Sequence, residues 1–246
     1  MKQGFFEIIG NEKIAEKTYK MRLYGDYSDI FAGQFLNISV DCGYLRRPIS
    51  VCDLGEKEIT IIYKTVGRGT EELSGYPIGK TLDILYGLGN GYDLSLAGER
   101  PLLIGGGVGV PPLFLAAKKL IERKKTVTVI LGFNKKEEAF YINEFESLGA
   151  KVFVTTADGS LGTAGFVTDA LGKIREYDYF YTCGPEPMLK AVYNSTKTSG
   201  QFSFEERMGC GFGACMGCSC KTVSGYKRIC KDGPVLFKED LLWKLP

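Results

Sequence analysis

The chain has 246 residues, enough for two domains and a short appendage. With 44% hydrophobic and 24% charged residues, and 32 Gly with only 9 Pro, its composition excludes disorder, collagen and coiled coil. The net charge of +2 is spread along the chain, so no nucleic-acid partner is expected, and the absence of histidine removes imidazole acid–base chemistry, His-ligated zinc and Rieske clusters.

The first ten residues hold one lysine and an apolar stretch broken by Glu7, which fits neither a secretory signal nor a transit peptide, so a cytoplasmic location is expected. From Phe5 to about Ala97 the pattern is period two. Tyr19, Met21 and Leu23 alternate with Thr18, Lys20 and Arg22, and Leu36, Ile38 and Val40 with Asn37 and Ser39. Ile59, Ile61 and Tyr63, then Leu82 and Ile84, continue it between glycine-rich turns, which predicts an antiparallel β-barrel over 1–98.

Within that barrel Arg46, Arg47, Pro48, Ile49 and Ser50 combine cations, a fixed backbone angle and a small hydroxyl. Such a group can pair a pyrophosphate and present Ser50 to a flavin ring nitrogen. About twenty residues later, Gly69 and Thr70 open a predicted helix whose free N–H groups suit a second grip on the phosphates. An edge-strand arginine pair and an ordinary helix cap are the plainer alternatives.

After Pro101 apolar runs alternate with amphipathic helices, with strands predicted at 102–104, 127–131, 152–154 and 179–181 and helices at 113–123, 167–174 and 186–196, and another carrying Tyr141, Phe145 and Leu148. This predicts an α/β nucleotide-binding domain with a parallel sheet over 99–200. The uncharged run 101–117 is 17 residues long, short of the roughly 20 that a membrane span needs, so no membrane partner is expected. Inside it, Gly105, Gly106, Gly107 and Gly109 join a strand to a helix that opens on Pro111 and Pro112. Val110 breaks the Rossmann fingerprint, yet the glycines still permit close approach of a dinucleotide pyrophosphate. Asp158 ends a strand, where its carboxylate can accept a ribose hydroxyl and repel a 2′-phosphate, favouring NAD; Asp158-Gly159 is equally a plain turn. Cys183 ends the last strand at the edge where a nicotinamide would lie, and is the candidate catalytic residue, against the alternative of a buried core thiol. The basic run Lys118 to Lys125 reads as a solvated helix end.

The segment 201–246 is too short for its own core but holds five of the eight cysteines. Cys210, Cys215, Cys218 and Cys230 give C-x4-C-x2-C and a fourth cysteine after eleven residues, the first three at the spacing of plant-type 2Fe-2S ferredoxins. Gly209, Gly211, Gly213 and Gly217 let the loop curl and aim N–H groups at the sulfurs. Cys220 is taken as a packed neighbour. Structural zinc on the same four thiolates is the competing reading, although zinc ribbons prefer paired C-x2-C knuckles.

The order of these motifs resembles the ferredoxin-NADP reductase superfamily over essentially the whole chain. Residues 45–50, 89–94, 207–215 and 230–235 are similar, within it, to the electron-transfer subunits of class 1B, NAD-dependent dihydroorotate dehydrogenases. The resemblance implies FAD held by Arg47, Pro48, Ile49 and Ser50, by Ile62, Tyr63 and Lys64, and by Gly69 and Thr70, with a 2Fe-2S cluster on Cys210, Cys215, Cys218 and Cys230. It also implies a separate FMN-containing catalytic subunit, two of each chain forming a heterotetramer. Electrons from dihydroorotate would pass through cluster and FAD to NAD+ in pyrimidine (UMP) biosynthesis. Much of the superfamily carries an aromatic residue where Ile49 stands. Two other readings share parts of this evidence: an NAD(P)H-dependent reductase serving a ferredoxin, an oxygenase or a bifurcating complex, and a non-enzymatic, zinc-stapled interaction module.

Overall fold

The structure, a computed structural model, describes residues 1–243. The first strands are β1 (Lys2–Ala15), β2 (Thr18–Tyr24), β3 (Phe35–Ile38), β4 (Arg47–Leu54) and β5 (Glu58–Lys64); helix α1 (Arg68–Ser74) and strand β6 (Thr81–Leu88) complete the first unit. The six strands close into a barrel in the order β1-β2-β5-β4-β3-β6. Alternation sets the faces: Leu82, Ile84 and Tyr86 of β6 point inward and join Met21, Leu23, Ile59 and Ile61 in the barrel core, while Leu88, past a register shift, packs with Phe35 against the sheet.

The second unit runs through β7 (Pro101–Gly106), α2 (Pro111–Glu122), β8 (Thr128–Phe133), α3 (Ile142–Ser147), β9 (Lys151–Thr156), β10 (Thr163–Ala164), α4 (Val167–Leu171), β11 (Tyr179–Cys183), α5 (Glu186–Ser195) and β12 (Gly200–Ser203). Its sheet has the order β10-β9-β8-β7-β11-β12-β15, where β15 is Val235–Phe237. Strands β7 and β11 are buried throughout, as sheets covered on both faces require. The chain winds outward one way from β7 through β8 and β9 and the other way from β11 through β12. The β7/β11 junction is therefore the switch point at whose carboxyl end ligands bind. Helix α2 starts two residues before its expected position, because Pro111 and Pro112 lose no partner in the first turn.

The expected boundary between 200 and 201 falls inside this sheet. Strand β12 pairs in parallel with β11, and β15 returns to pair antiparallel with β12. The cysteine-bearing stretch, with its hairpin β13 (Ser219–Thr222) and β14 (Gly225–Arg228), is thus an insertion between two sheet strands. A segment this short gains its apolar support from the larger core: Cys218, Ile229 and Cys230 pack in one cluster with Leu102, Phe180 and Phe202 of the sheet. Among the described residues no helix is long and apolar enough to cross a membrane.

Candidate functional site

A cavity of ≈ 340 Å³ opens where the barrel, the sheet and the chain leaving β12 meet. Arg47, Pro48, Ile49 and Ser50 of β4 and Ile62, Tyr63 and Lys64 of β5 form one wall, with Thr70 of α1 beside them. A Cβ added to Gly69 would lie 1.9 Å from Arg47 Nε, so the guanidinium rests on glycine backbone and brings the two sequence motifs to one corner. Thr70 Oγ1 donates to the Gly67 carbonyl at 3.0 Å and accepts from Val66 N–H at 3.0 Å, which fixes that corner. Arg46 is turned away: it pairs with Asp83 Oδ2 at 2.6 Å and is structural. The Tyr63 hydroxyl donates to Asn11 Oδ1 at 3.0 Å, and burial pushes its phenol up. Apolar walls for a flat ring, the Arg47 guanidinium for an anionic tail and a hydroxyl on the rim fit a flavin dinucleotide.

The opposite wall comes from the switch point, where Val108, Cys183 and Glu205 face the same cavity. A Cβ on Gly109 would sit 2.3 Å from the Cys183 carbonyl oxygen, so glycine there lets the loop press against the end of β11. Gly105 and Gly106 serve packing, since a Cβ would reach within 3.0 Å of Leu113 Cδ1 and 2.4 Å of Met188 Sδ. Gly107, at φ +53° with nothing within 4 Å of a Cβ, is the glycine that presents open space. Cys183 is buried, and desolvation with the nearby Glu205 pushes its thiol up, so it stands in the wall as a neutral thiol. Asp158 lies past the end of β9, away from this cavity's lining. Its carboxylate accepts from Ser160 N–H at 2.9 Å and Ser160 Oγ at 2.6 Å, contacts that hold its own turn and lower its pKa.

Glu205 carries no sequence signal and was not anticipated. Glu205 stands exposed on the cavity's rim, where the neighbouring protein strips part of its solvent and pushes its pKa up.

The four expected cluster cysteines come together as two pairs. Cys210 and Cys215 are in mutual contact, with Cys215 N–H 3.5 Å from Cys210 Sγ, and Cys230 N–H lies 3.4 Å from Cys218 Sγ. Among the described residues no three Cys, Asp or Glu converge on a point that would hold a single ion. Together the two pairs offer the four thiolates that an iron–sulfur cluster takes. Burial raises the Cys210 thiol, but N–H donors from Phe212, Cys215 and Ala214 and the Cys215 thiol outweigh it and bring it to about 6; burial and Cys218 push Cys230 up to about 12. Gly209 and Gly217 leave room around Cys215 Sγ, where a Cβ would approach to 3.3 and 3.5 Å. Arg228 ties the loop down through Gly213 O at 2.9 Å and Asp232 at 3.0 Å. Cys220 sits in the hairpin opposite Lys227, outside both pairs.

The 89–94 motif is the knot that joins the units. Asn90 Nδ2 donates to Val235 O at 2.7 Å, Asn90 Oδ1 accepts from Val235 N–H at 3.0 Å, and Asn90 N–H donates to Gly233 O at 2.6 Å. Asp93 O receives the Tyr181 hydroxyl and Gln201 Nε2, both from the sheet. Asn90 thus clamps the strand leaving Cys230. Asn90→Ala is expected to lower stability by about 1–2 kcal/mol through the loss of two part-buried hydrogen bonds. Chemical denaturation checks this, and an unshifted midpoint would contradict it.

A closed barrel, a parallel sheet with its glycine loop at the switch point and a paired-thiol insertion define an NAD-linked oxidoreductase of the ferredoxin reductase type that carries an iron–sulfur domain. Residues 103–194 match the oxidoreductase NAD-binding domain, and 205–242 match the iron-sulfur cluster binding domain of dihydroorotate dehydrogenase B. The chain is 45% identical over 94% of its length to the dihydroorotate dehydrogenase B (NAD(+)) electron transfer subunit of Fusobacterium nucleatum, covering 95% of that chain. It is 42% identical over 98% of both chains to the subunit of the same name from Bacillus pumilus. The chain belongs to this family of electron transfer subunits. Among solved structures, the NADH-dependent reduced ferredoxin-NADP oxidoreductase, a flavin-based bifurcating enzyme, superposes with a TM-score of 0.88 at 30% identity over 98% of this chain and 90% of that one. A ferredoxin NADP+ reductase from Neisseria gonorrhoeae shares the fold at 17% identity and a TM-score of 0.67, over 79% of this chain and 90% of that one.

Proposed function

We propose that this chain carries electrons between a dihydroorotate-oxidising catalytic subunit and NAD+, using FAD and a 2Fe-2S cluster, in pyrimidine (UMP) biosynthesis. The observation that carries this reading is continuity: Phe204, Glu205, Glu206 and Met208 line the flavin cavity, and the same stretch runs directly into the first expected cluster ligand, Cys210. When bound, the cluster handles single electrons and the flavin matches them to the two-electron chemistry of NAD.

Each residue then has a task. Arg47, seated on Gly69, neutralises the pyrophosphate of FAD, while Pro48, Ile49 and Ser50 with Ile62, Tyr63 and Lys64 form the slot for its ring, and Thr70 braces the corner. Ile49 offers an aliphatic face where an aromatic one is common, so the ring is held by packing. Gly107 gives the NAD pyrophosphate room, Gly105, Gly106 and Gly109 let the loop and its helices close in, and Asp158 marks the ribose end. Cys183 positions the nicotinamide as a neutral, polarisable wall and excludes water. Cys210, Cys215, Cys218 and Cys230 would together hold the cluster through their thiolates.

The barrel 1–98, the nucleotide sheet 99–203 with its returning strand 235–237, and the cluster insertion 204–234 form the working units. The family's name implies a catalytic partner; we assign it an FMN centre, a heterotetramer of two chains of each kind and a cytoplasmic location. Identity of 45% to a dihydroorotate dehydrogenase subunit, against 30% to the bifurcating enzyme, favours this reading over a ferredoxin or oxygenase reductase. Anaerobic mixing with the FMN subunit tests it: dihydroorotate-dependent reduction of NAD+ should require both chains, and turnover by the FMN subunit without this chain would refute it.

A further inference from the structure

We infer that Asn37 is a positioning residue that sets the redox behaviour of the cluster from the barrel side, an inference that rests on the function proposed above. Asn37 lies in β3, in register with Pro48 of the flavin wall, and is 1% exposed. Its Nδ2 donates to the carbonyl oxygen of Cys210 at 3.1 Å, while its Oδ1 is buried with no hydrogen-bond partner. An orphaned buried acceptor is disfavoured, so the amide stands there for its donor end.

The loop is shaped around that donor. A Cβ on Gly211 would lie 2.2 Å from Asn37 Nδ2, and Gly211 adopts φ +77°, so both space and backbone demand glycine beside the asparagine. From the other side, Arg46 donates to the Asn37 carbonyl oxygen at 3.4 Å while paired with Asp83. Phe35, two residues earlier on the same face of β3, lines the flavin cavity and packs in one cluster with Cys218 and Cys230. One strand face thus touches both redox sites, and Met208, two residues before Cys210, completes the cavity wall between them. Dipoles directed at the ligand peptides of a cluster favour its reduced, more negative form. Asn37 supplies one such dipole and holds the 208–211 stretch in place.

The test is Asn37→Asp, which keeps the shape and exchanges donor for acceptor, with Asn37→Ala as the second variant. Cluster potential is read by EPR-monitored titration of the purified chain with its cofactors, alongside FAD content and flavin potential. Absence of the cluster signal or of FAD in the parent would refute the underlying function; the difference between parent and variants tests the inference alone. Both variants should retain FAD, and reduction of the cluster should become less favourable by about tenfold, or about 59 mV for one electron, with the larger shift in Asn37→Asp. Loss of the cluster from Asn37→Asp with FAD retained also supports the inference, because a carboxylate then faces the Cys210 carbonyl. An unshifted cluster potential in Asn37→Asp overturns it, whatever Asn37→Ala does. So does an equal shift of cluster and flavin potentials, or joint loss of both cofactors, which would mark a merely structural role.

Discussion

Replacing Cys215 by serine is expected to strip the chain of its iron–sulfur centre while leaving FAD in place. Cys215 is the exposed member of the first thiol pair, and two glycines have been cleared from around its sulfur. A serine hydroxyl is a harder, far less acidic ligand than a thiol, and iron–sulfur centres depend on thiolate. The cavity lined by Arg47 to Ser50 and Ile62 to Lys64 contains no atom of Cys215, so flavin binding has no reason to fail. Electron passage from the catalytic subunit to NAD+ should fall by more than about 100-fold, the upper range seen for disturbances one shell further from a metal. NADH oxidation by a small acceptor that meets the flavin directly should persist. Iron analysis, the flavin absorbance and the two assays on one preparation decide the matter, and unchanged coupled turnover would contradict the assignment.

Gly109→Ala is expected to damage the nicotinamide side as severely, without touching the cluster. The added methyl would sit 2.3 Å from the Cys183 carbonyl oxygen, a backbone atom that cannot swing away as a side chain would. Relief requires the glycine loop and the end of β11 to part, and Cys183 lies in the wall of the shared cavity. Misplacement of about 1 Å at a reacting centre can lower the rate about 100-fold. NADH oxidation should fall on that order, with iron and FAD contents unchanged. A parental rate would show that the contact between Gly109 and β11 does not position the nicotinamide.

The barrel was legible because its strands alternate so cleanly: β6 reads as buried and less buried residues in turn, and tertiary packing asks for the same pattern. The parallel strands were legible as short apolar runs, and the motifs at 47–50, 105–109 and 210–218 stand out because their residues are contiguous. Pairings between distant stretches were not. Nothing in the local sequence says that Asn90 reaches Val235, that Asn37 reaches Cys210 or that Arg47 lies across Gly69, because each contact is set by how the units dock. The boundary at 200 was misplaced for a related reason. Strand β12 spans only Gly200–Ser203, and its buried Gln201 and Ser203 disguise it as a polar loop; Gln201 is satisfied by Asp93 and Tyr179. Glu205 gave no sign at all, since its perturbation comes from the surrounding walls.

Paired thiols and a flavin slot share one stretch of chain, and the metal and flavin stoichiometry of the natively purified protein tests that most directly. About two irons with matching sulfide and about one FAD per chain are expected. One zinc per chain with no flavin, or an iron-free protein that still links dihydroorotate to NAD+ through its partner, would contradict it.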